Sequence, residues 1–297
     1  MSDGGNRFGV GARGGEMAVR HPKTPRSWGA WLLIGVAAGY LVLLVLLPLM
    51  NVFYQALREG WGAYLQGLTT PEARHAIGLT LLVVGVAVPV NTVMGLVMAW
   101  VLARYRLPGR GLIMALLDAP LAISPVIVGL MFILLYSTTV GIFRDWVTWL
   151  GVQIIFAPPG MVLTTLFITL PFVVREVLPV LEATGQEEEE AACTLGARGW
   201  QIFWRITLPQ IRWALLYGVI LTAARGLGEF GAVAVVSGKV IGQTNTLTLH
   251  IERVYMEYQT VAAFAGASLL TLIALGTVAG QVLLGQSDHH RDTLTVG

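Results

Sequence analysis

The chain holds one cysteine, Cys193, in 297 residues. A single thiol excludes an internal disulfide and any zinc site built on cysteines. Charge is scarce as well: Asp, Glu, Lys and Arg make up 12% of the sequence, against 55% hydrophobic residues. Histidine is thinly spread, and His289 and His290 fall on a short end segment where solvation accounts for them. No H-E-x-x-H, G-x-S-x-G or His/Asp cluster occurs, so a membrane enzyme would lack a reaction centre. No Walker A sequence occurs, so any ATP-driven step must use another chain. The net charge of +2 says little, because in membrane proteins the placement of charge outweighs its sum.

What the chain has in abundance is long apolar runs, with a mean hydropathy of +0.71. A stretch of roughly 20 apolar residues crosses a bilayer as a helix, because every backbone group must then be satisfied internally. Six blocks qualify: 31–52, 77–102, 112–136, 161–181, 213–236 and 261–284. The expected fold is an all-α membrane protein of six transmembrane helices, with no room between them for a soluble domain. The first block is longer than a signal-peptide core and lacks an A-x-A-like exit, so it reads as a retained span. Residues 1–28 are Gly- and Arg-rich and are expected to be disordered, residues 29–285 form the membrane domain, and 286–297 form a tail. Gly35-x-x-x-Gly39 and Gly276-x-x-x-Gly280 have the small-residue spacing that lets helices approach in lipid.

Orientation follows from the cations. Arg7, Arg13, Arg20, Lys23 and Arg26, then Arg104, Arg106 and Arg110, then Arg175, Arg198, Arg205 and Arg212, then Arg291 all fall on one side. Only Arg58, Arg74, Arg144, Lys239 and Arg253 fall on the other. The positive-inside rule therefore places both termini and the segment 182–212 in the cytoplasm.

That segment contains EEEEAACTLGARGW, residues 187–200. Thr184 and Glu187 have capping-box spacing, which predicts a short helix from Thr184 to Leu195. The glutamates suit its positive first turns, and Gly196 suits a left-handed position that ends it. A second helix is expected from Trp200 to about Thr207, with Trp200, Phe203, Trp204 and Leu208 on one stripe. Pro209 then opens the next span. Neighbouring glutamates point in different directions on a helix, so a metal cluster is not supported. A solvated acidic face and a surface held by a partner both remain open. Cys193 reads as a small apolar residue on a packed face.

Two further stretches place charge or proline inside apolar blocks. Arg225 and Glu229 are i, i+4 and can pair. They read either as a structural ion pair or as part of an anion route. The surrounding Gly226, Gly228 and Gly231 spell G-x-G-x-x-G, but without a preceding strand this is no dinucleotide fingerprint. In DAPLAISP, Pro120 and Pro125 should kink or break the third span. Asp118 then caps the broken turn, and the Ser124 hydroxyl and freed carbonyls can line a cavity.

Glu190-Ala191-Ala192, Gly196 and Ile206-x-Leu208-Pro209 match in full the EAA motif of bacterial ABC importer permeases, which the chain therefore resembles. The resemblance implies a type I (MetI-like) permease fold whose coupling helix docks on a cytoplasmic ATPase. It assigns Glu190, Ala191, Ala192, Gly196, Ile206, Leu208 and Pro209 to ATPase coupling. The stretches RWALLYGVILTAARGLGEFGAVAVVSG, LDAPLAISPVIVGL and LPFVVREVLPV are similar to sulfate/thiosulfate importer permeases of the CysW type, over residues 28–285. GEFGA also occurs in molybdate-type permeases. The resemblance implies a second permease of CysT type, an ATPase dimer of CysA type and a periplasmic sulfate/thiosulfate-binding protein, with membrane lipid around and no nucleic acid. No cofactor is expected on this chain, since the ATPase would use the ATP and Mg. Arg225, Glu229, Asp118 and Ser124 are the path candidates. The rivals are a molybdate or tungstate importer and a secondary anion transporter, which would leave the EAA spacing unexplained.

Overall fold

The computed structural model of the chain describes residues 28–292, with side chains over 28–280. The expected leader, except Trp28, and residues 293–297 of the tail lie outside the described residues. The chain divides into two compact units, Met1–Leu49 and Met50–Gly297. The described part of the first unit belongs to one helix, α1 (Trp28–Leu57). A π turn at Val42–Leu46 interrupts it, where the Leu47 N–H bonds to the Val42 carbonyl. Pro48 follows directly. Proline lacks an N–H and its ring clashes with the carbonyl four residues back, so one wider turn accommodates it without breaking the helix.

The second unit takes in the end of α1 from Met50 and continues with α2 (Gly60–Thr69) and α3 (Pro71–Arg104). The Thr70 hydroxyl accepts from the Ala73 N–H at 3.2 Å, and Pro71 sits where a missing N–H costs nothing. Then come α4 (Arg110–Ala122), α5 (Pro125–Tyr136), α6 (Arg144–Leu150) and α7 (Pro158–Thr184). The short α8 (Glu187–Thr194) precedes α9 (Gly199–Leu227), and α10 (Gly231–Val236), α11 (Leu247–Met256) and α12 (Thr260–Asp292) complete the order. Among the described residues, five helices are long and apolar enough to span a membrane, and α4 with α5 makes a sixth if counted as one span. Those two meet at 110°; the break falls just before Pro125, which opens α5, while Pro120 is carried inside α4 and does not break it.

The fifth span differs from expectation. It was expected over 213–236, but α9 starts at Gly199 and stops at Leu227. The separate Trp200–Thr207 helix is the first part of α9, joined through a π turn at Phe203–Thr207 where Leu208 N–H bonds to the Phe203 carbonyl. Pro209 follows that turn as Pro48 follows the first. At the other end, Gly228 and Gly231 withhold side-chain support from the helix and the chain turns into α10 instead.

Helix α7 is the most buried of the spans, and α3 and α9 pack on it. Contacts in lipid rest on close packing more than on apolar burial. Two glycines make them possible here. A Cβ on Gly95 of α3 would lie 2.7 Å from the Val173 Cβ, and one on Gly218 of α9 would lie 3.0 Å from the Val173 Cα. Asn91 of α3 donates to the Leu166 carbonyl at 3.0 Å and the Thr169 hydroxyl at 2.7 Å, a buried polar tie to α7. The pair Gly276 and Gly280 read from sequence does not do this. Nothing among the described residues lies within 4 Å of a Cβ at Gly276, and Gly280 meets only the Ile220 side chain at 4.0 Å. Leu102, Leu117, Val174, Leu178 and Ile211 form the core near the end where α3 and α7 both finish. At the other end, the Leu247 N–H of α11 donates to Thr80 of α3 at 2.8 Å.

Candidate functional site: an exposed short helix and two broken spans

Helix α8 stands where α3 and α7 end. It starts at Glu187, after Gly185 turns the chain at φ +72°. The expected Thr184 cap is absent: Thr184 is still part of α7, and its hydroxyl donates to the Val180 carbonyl at 2.7 Å. The stop is as expected. Gly196 takes φ +81°, the Gly196 N–H bonds to the Cys193 carbonyl and the Ala197 N–H to the Ala192 carbonyl, each at 3.0 Å. This is a Schellman turn, and the left-handed position favours glycine. Across the turn, the Gln201 side chain accepts from the Arg198 N–H at 2.9 Å and sets the start of α9.

The helix has an inner and an outer face. Glu190, Ala191, Cys193, Thr194 and Leu195 are exposed, Leu195 to 88%. Cys193 is therefore on the outer face, not the packed face assigned from sequence. Ala192 is half-buried. The inner face is anchored by Glu189. Its carboxylate accepts from the Arg104 guanidinium at 2.8 and 3.1 Å and from the Thr207 hydroxyl at 2.8 Å. The same guanidinium donates to the Leu181 carbonyl at 3.0 Å. Glu188 accepts from Gln210 at 2.8 Å. Nearby, Arg110 and Glu182 form an exposed pair.

Neither Glu189 nor Arg104 stood out in sequence. Arg104 entered only the charge-side comparison, and Glu189 was one of four identical letters. The pair spans 85 positions, so no local period reports it. Ile206 and Leu208 are half-buried and Pro209 is exposed, on the π turn of α9 and directly after it rather than on α8. Trp200 and Trp204 stack edge to face at 5.2 Å and stay largely exposed, as aromatic residues at a membrane boundary do.

The path candidates separate into two groups. Arg225 lies in the last turn of α9 rather than within a longer span, and its guanidinium meets Glu229 at 2.7 Å. The Glu229 side chain is 2% exposed and Arg225 is 35% exposed. The other Glu229 oxygen accepts from the Ala232 N–H at 3.1 Å, and its backbone carbonyl accepts from the Thr248 hydroxyl at 2.9 Å. Glu229 thus caps α10 and holds Arg225. Ser124 is exposed at the α4–α5 break, where its carbonyl accepts from the Val128 N–H. A Cβ on Gly231 would lie 2.9 Å from Pro125, so the two breaks meet. Asp118 does not cap its turn. It accepts from Arg175 of α7 at 2.8 Å, because α7 passes within reach of α4.

The family described as binding-protein-dependent transport system inner membrane component matches residues 91–286. The chain is 50% identical over 276 residues to the sulfate transport system permease protein CysW of Synechocystis sp., covering 93% of this chain and 99% of that protein. It is 49% identical to the Escherichia coli K12 protein of the same description, covering 87% and 89%. The E. coli CysT permease is 39% identical over 84% of this chain and 92% of its own. A crystal structure of a bacterial ABC transporter for alginate import superposes with a TM-score of 0.71 at 17% identity, over 89% of this chain and 96% of that one. The chain belongs to the binding-protein-dependent transport system inner membrane component family, among its CysW-type permeases.

Proposed function

We propose that this chain is the CysW-type permease subunit of an ATP-driven importer of sulfate and thiosulfate. It crosses the membrane several times and hydrolyses no ATP itself. A second, CysT-type permease completes the path, a periplasmic anion-binding protein delivers the substrate, and a CysA-type ATPase dimer uses the ATP and Mg. Both termini and α8 lie in the cytoplasm. The identity to sulfate permeases of this kind supports the substrate.

The observation that carries the coupling role is the outer face of α8. Glu190, Ala191 and Leu195 are exposed on a helix closed by a glycine turn, beyond the ends of α3 and α7. Small side chains permit close docking, and Glu190 offers a charge to a cation on the ATPase. ATP-driven closure of the ATPase pair moves α8 and, with it, the bundle between two states. Arg225 is the anion-attracting group of the path, with Glu229 limiting how tightly it holds a dianion, and Ser124 lies across the paired breaks. Asp118 is engaged by Arg175 and serves packing.

The test is Gly196→Val in the four-component complex reconstituted in liposomes. A β-branched residue is strained at φ +81° and tilts α8. Sulfate uptake and its stimulation of ATP turnover are expected to fall together while the ATPase keeps its unstimulated rate. Unchanged uptake refutes the coupling role, and uptake by this chain alone on an ion gradient supports a secondary transporter. Competition by molybdate distinguishes the oxyanions.

A further inference from the structure

Helix α8 joins α7 through Gly185 and Gln186. Gly185 has φ +72° and ψ −159°, with open space at its Cβ position. Such a link works as a hinge, since glycine crosses conformations closed to other residues. A push on α8 would be absorbed by rotation there unless a second tie carried it into the bundle. The Arg104 guanidinium supplies that tie. It ends α3, bonds the Leu181 carbonyl of α7 at 3.0 Å and grips the Glu189 carboxylate of α8 at 2.8 and 3.1 Å. Glu189 in turn accepts from Thr207, the buried end of the π turn leading into the main part of α9. The side chains of Arg104 and Glu189 are 7% and 17% exposed, so the pair is shielded from the screening that weakens surface ion pairs.

We infer that Arg104 and Glu189 form a positioning clasp, which makes movement of α8 a joint movement of α3, α7 and α9. This rests on the coupling role of α8 proposed above and names the residues through which it acts. The three helices gripped are those that pack on one another along the core, with Gly95 and Gly218 both against Val173. Moving them as one changes the opening between subunits without disturbing the packing within one. The outer glutamate, Glu190, faces the partner. The inner one, Glu189, holds the bundle.

The experiment uses the complex of this chain with its second permease, ATPase and binding protein in liposomes. It compares wild type with Glu189→Gln, Thr207→Val and, as control, Asp145→Asn on α6, whose side chain is 95% exposed. Uptake of labelled sulfate, ATP turnover with and without sulfate-loaded binding protein, and the ATPase retained on purification are all measured per assembled complex. Glu189→Gln should keep the ATPase and its unstimulated turnover but lose stimulation and uptake about tenfold, the weight of one charged hydrogen bond. Thr207→Val removes only the α9 tie, so a smaller loss in the same direction is expected, and Asp145→Asn should match wild type. Full stimulation in Glu189→Gln overturns the clasp, as does a loss of uptake that merely tracks the amount of complex recovered. A wild-type complex that retains no ATPase overturns the coupling role first and the clasp with it.

Discussion

Tyr258 takes φ +61° just after α11, in the position a glycine usually fills. The turn around it is complete: Tyr258 N–H bonds to the Tyr255 carbonyl and Gln259 N–H to the Val254 carbonyl. Its ring is 92% exposed and contributes little packing. A left-handed residue costs roughly 1–2 kcal/mol, and glycine gives back roughly 0.5–1 kcal/mol through its freedom in the unfolded chain. Tyr258→Gly should therefore leave stability unchanged or raise it by up to about 1 kcal/mol, read as the thermal midpoint in detergent. On the same helix His250 is buried. Burial first, then the positive charge of Arg253, hold its pKa below the ordinary 6.5, while Glu72 and Glu257 oppose them. The unfolded chain then binds the proton more readily than the folded one. Stability is full above pH 6.5 and is lost as pH falls through the lowered folded pKa. Thermal midpoints at pH 7.5 and 5 should differ less in His250→Gln than in wild type.

At the scale of elements, helix contact here depends on where glycine falls rather than on how many glycines there are. Gly95 and Gly218 are the close approaches to Val173, while Gly276, paired with Gly280 at the better-known spacing, has nothing described within 4 Å of its Cβ position. Spacing shows only that two glycines share a helix face. Whether another helix passes over that face is set by the rest of the bundle. Gly95→Ala should destabilise by about 1–3 kcal/mol, because its new methyl overlaps Val173. Adding Val173→Ala should recover part of that loss, a coupling that a double-mutant cycle measures directly. The element ends were legible where local chemistry decides them. Gly196 closed α8, and Pro125 opened a new helix after the break in the third span. Where Thr184 had a choice it stayed in α7, because its hydroxyl found the Val180 carbonyl one turn back.

At the scale of the whole molecule, charge placement predicts which face meets which compartment. The cation bias predicts that α8 is on the cytoplasmic side. The chain offers its own probe, since Cys193 is the single cysteine and is exposed on the outer face of α8. A membrane-impermeant maleimide should label Cys193 in inside-out vesicles and leave it unmodified in intact spheroplasts. Bound ATPase should slow that labelling severalfold, since docking desolvates the outer face. Labelling from outside the cell would reverse the orientation.

The sequence by itself determined the class of the molecule, the number of spans counting the bent pair as one, the break at DAPLAISP and the glycine stop of α8. Each of these depends on residues within a few positions of one another: an apolar run, a missing N–H, a left-handed turn. The pairing of Arg225 with Glu229 belongs here too, because i, i+4 residues meet on one side of a helix end. The tertiary structure alone decided that Glu189 faces inward to Arg104 and Thr207 and that Asp118 meets Arg175. It also decided that the fifth span ends at Leu227 and that Val173 is where α3 and α9 converge. Those contacts join residues far apart in the chain, so they follow from how the helices pack and not from any local pattern.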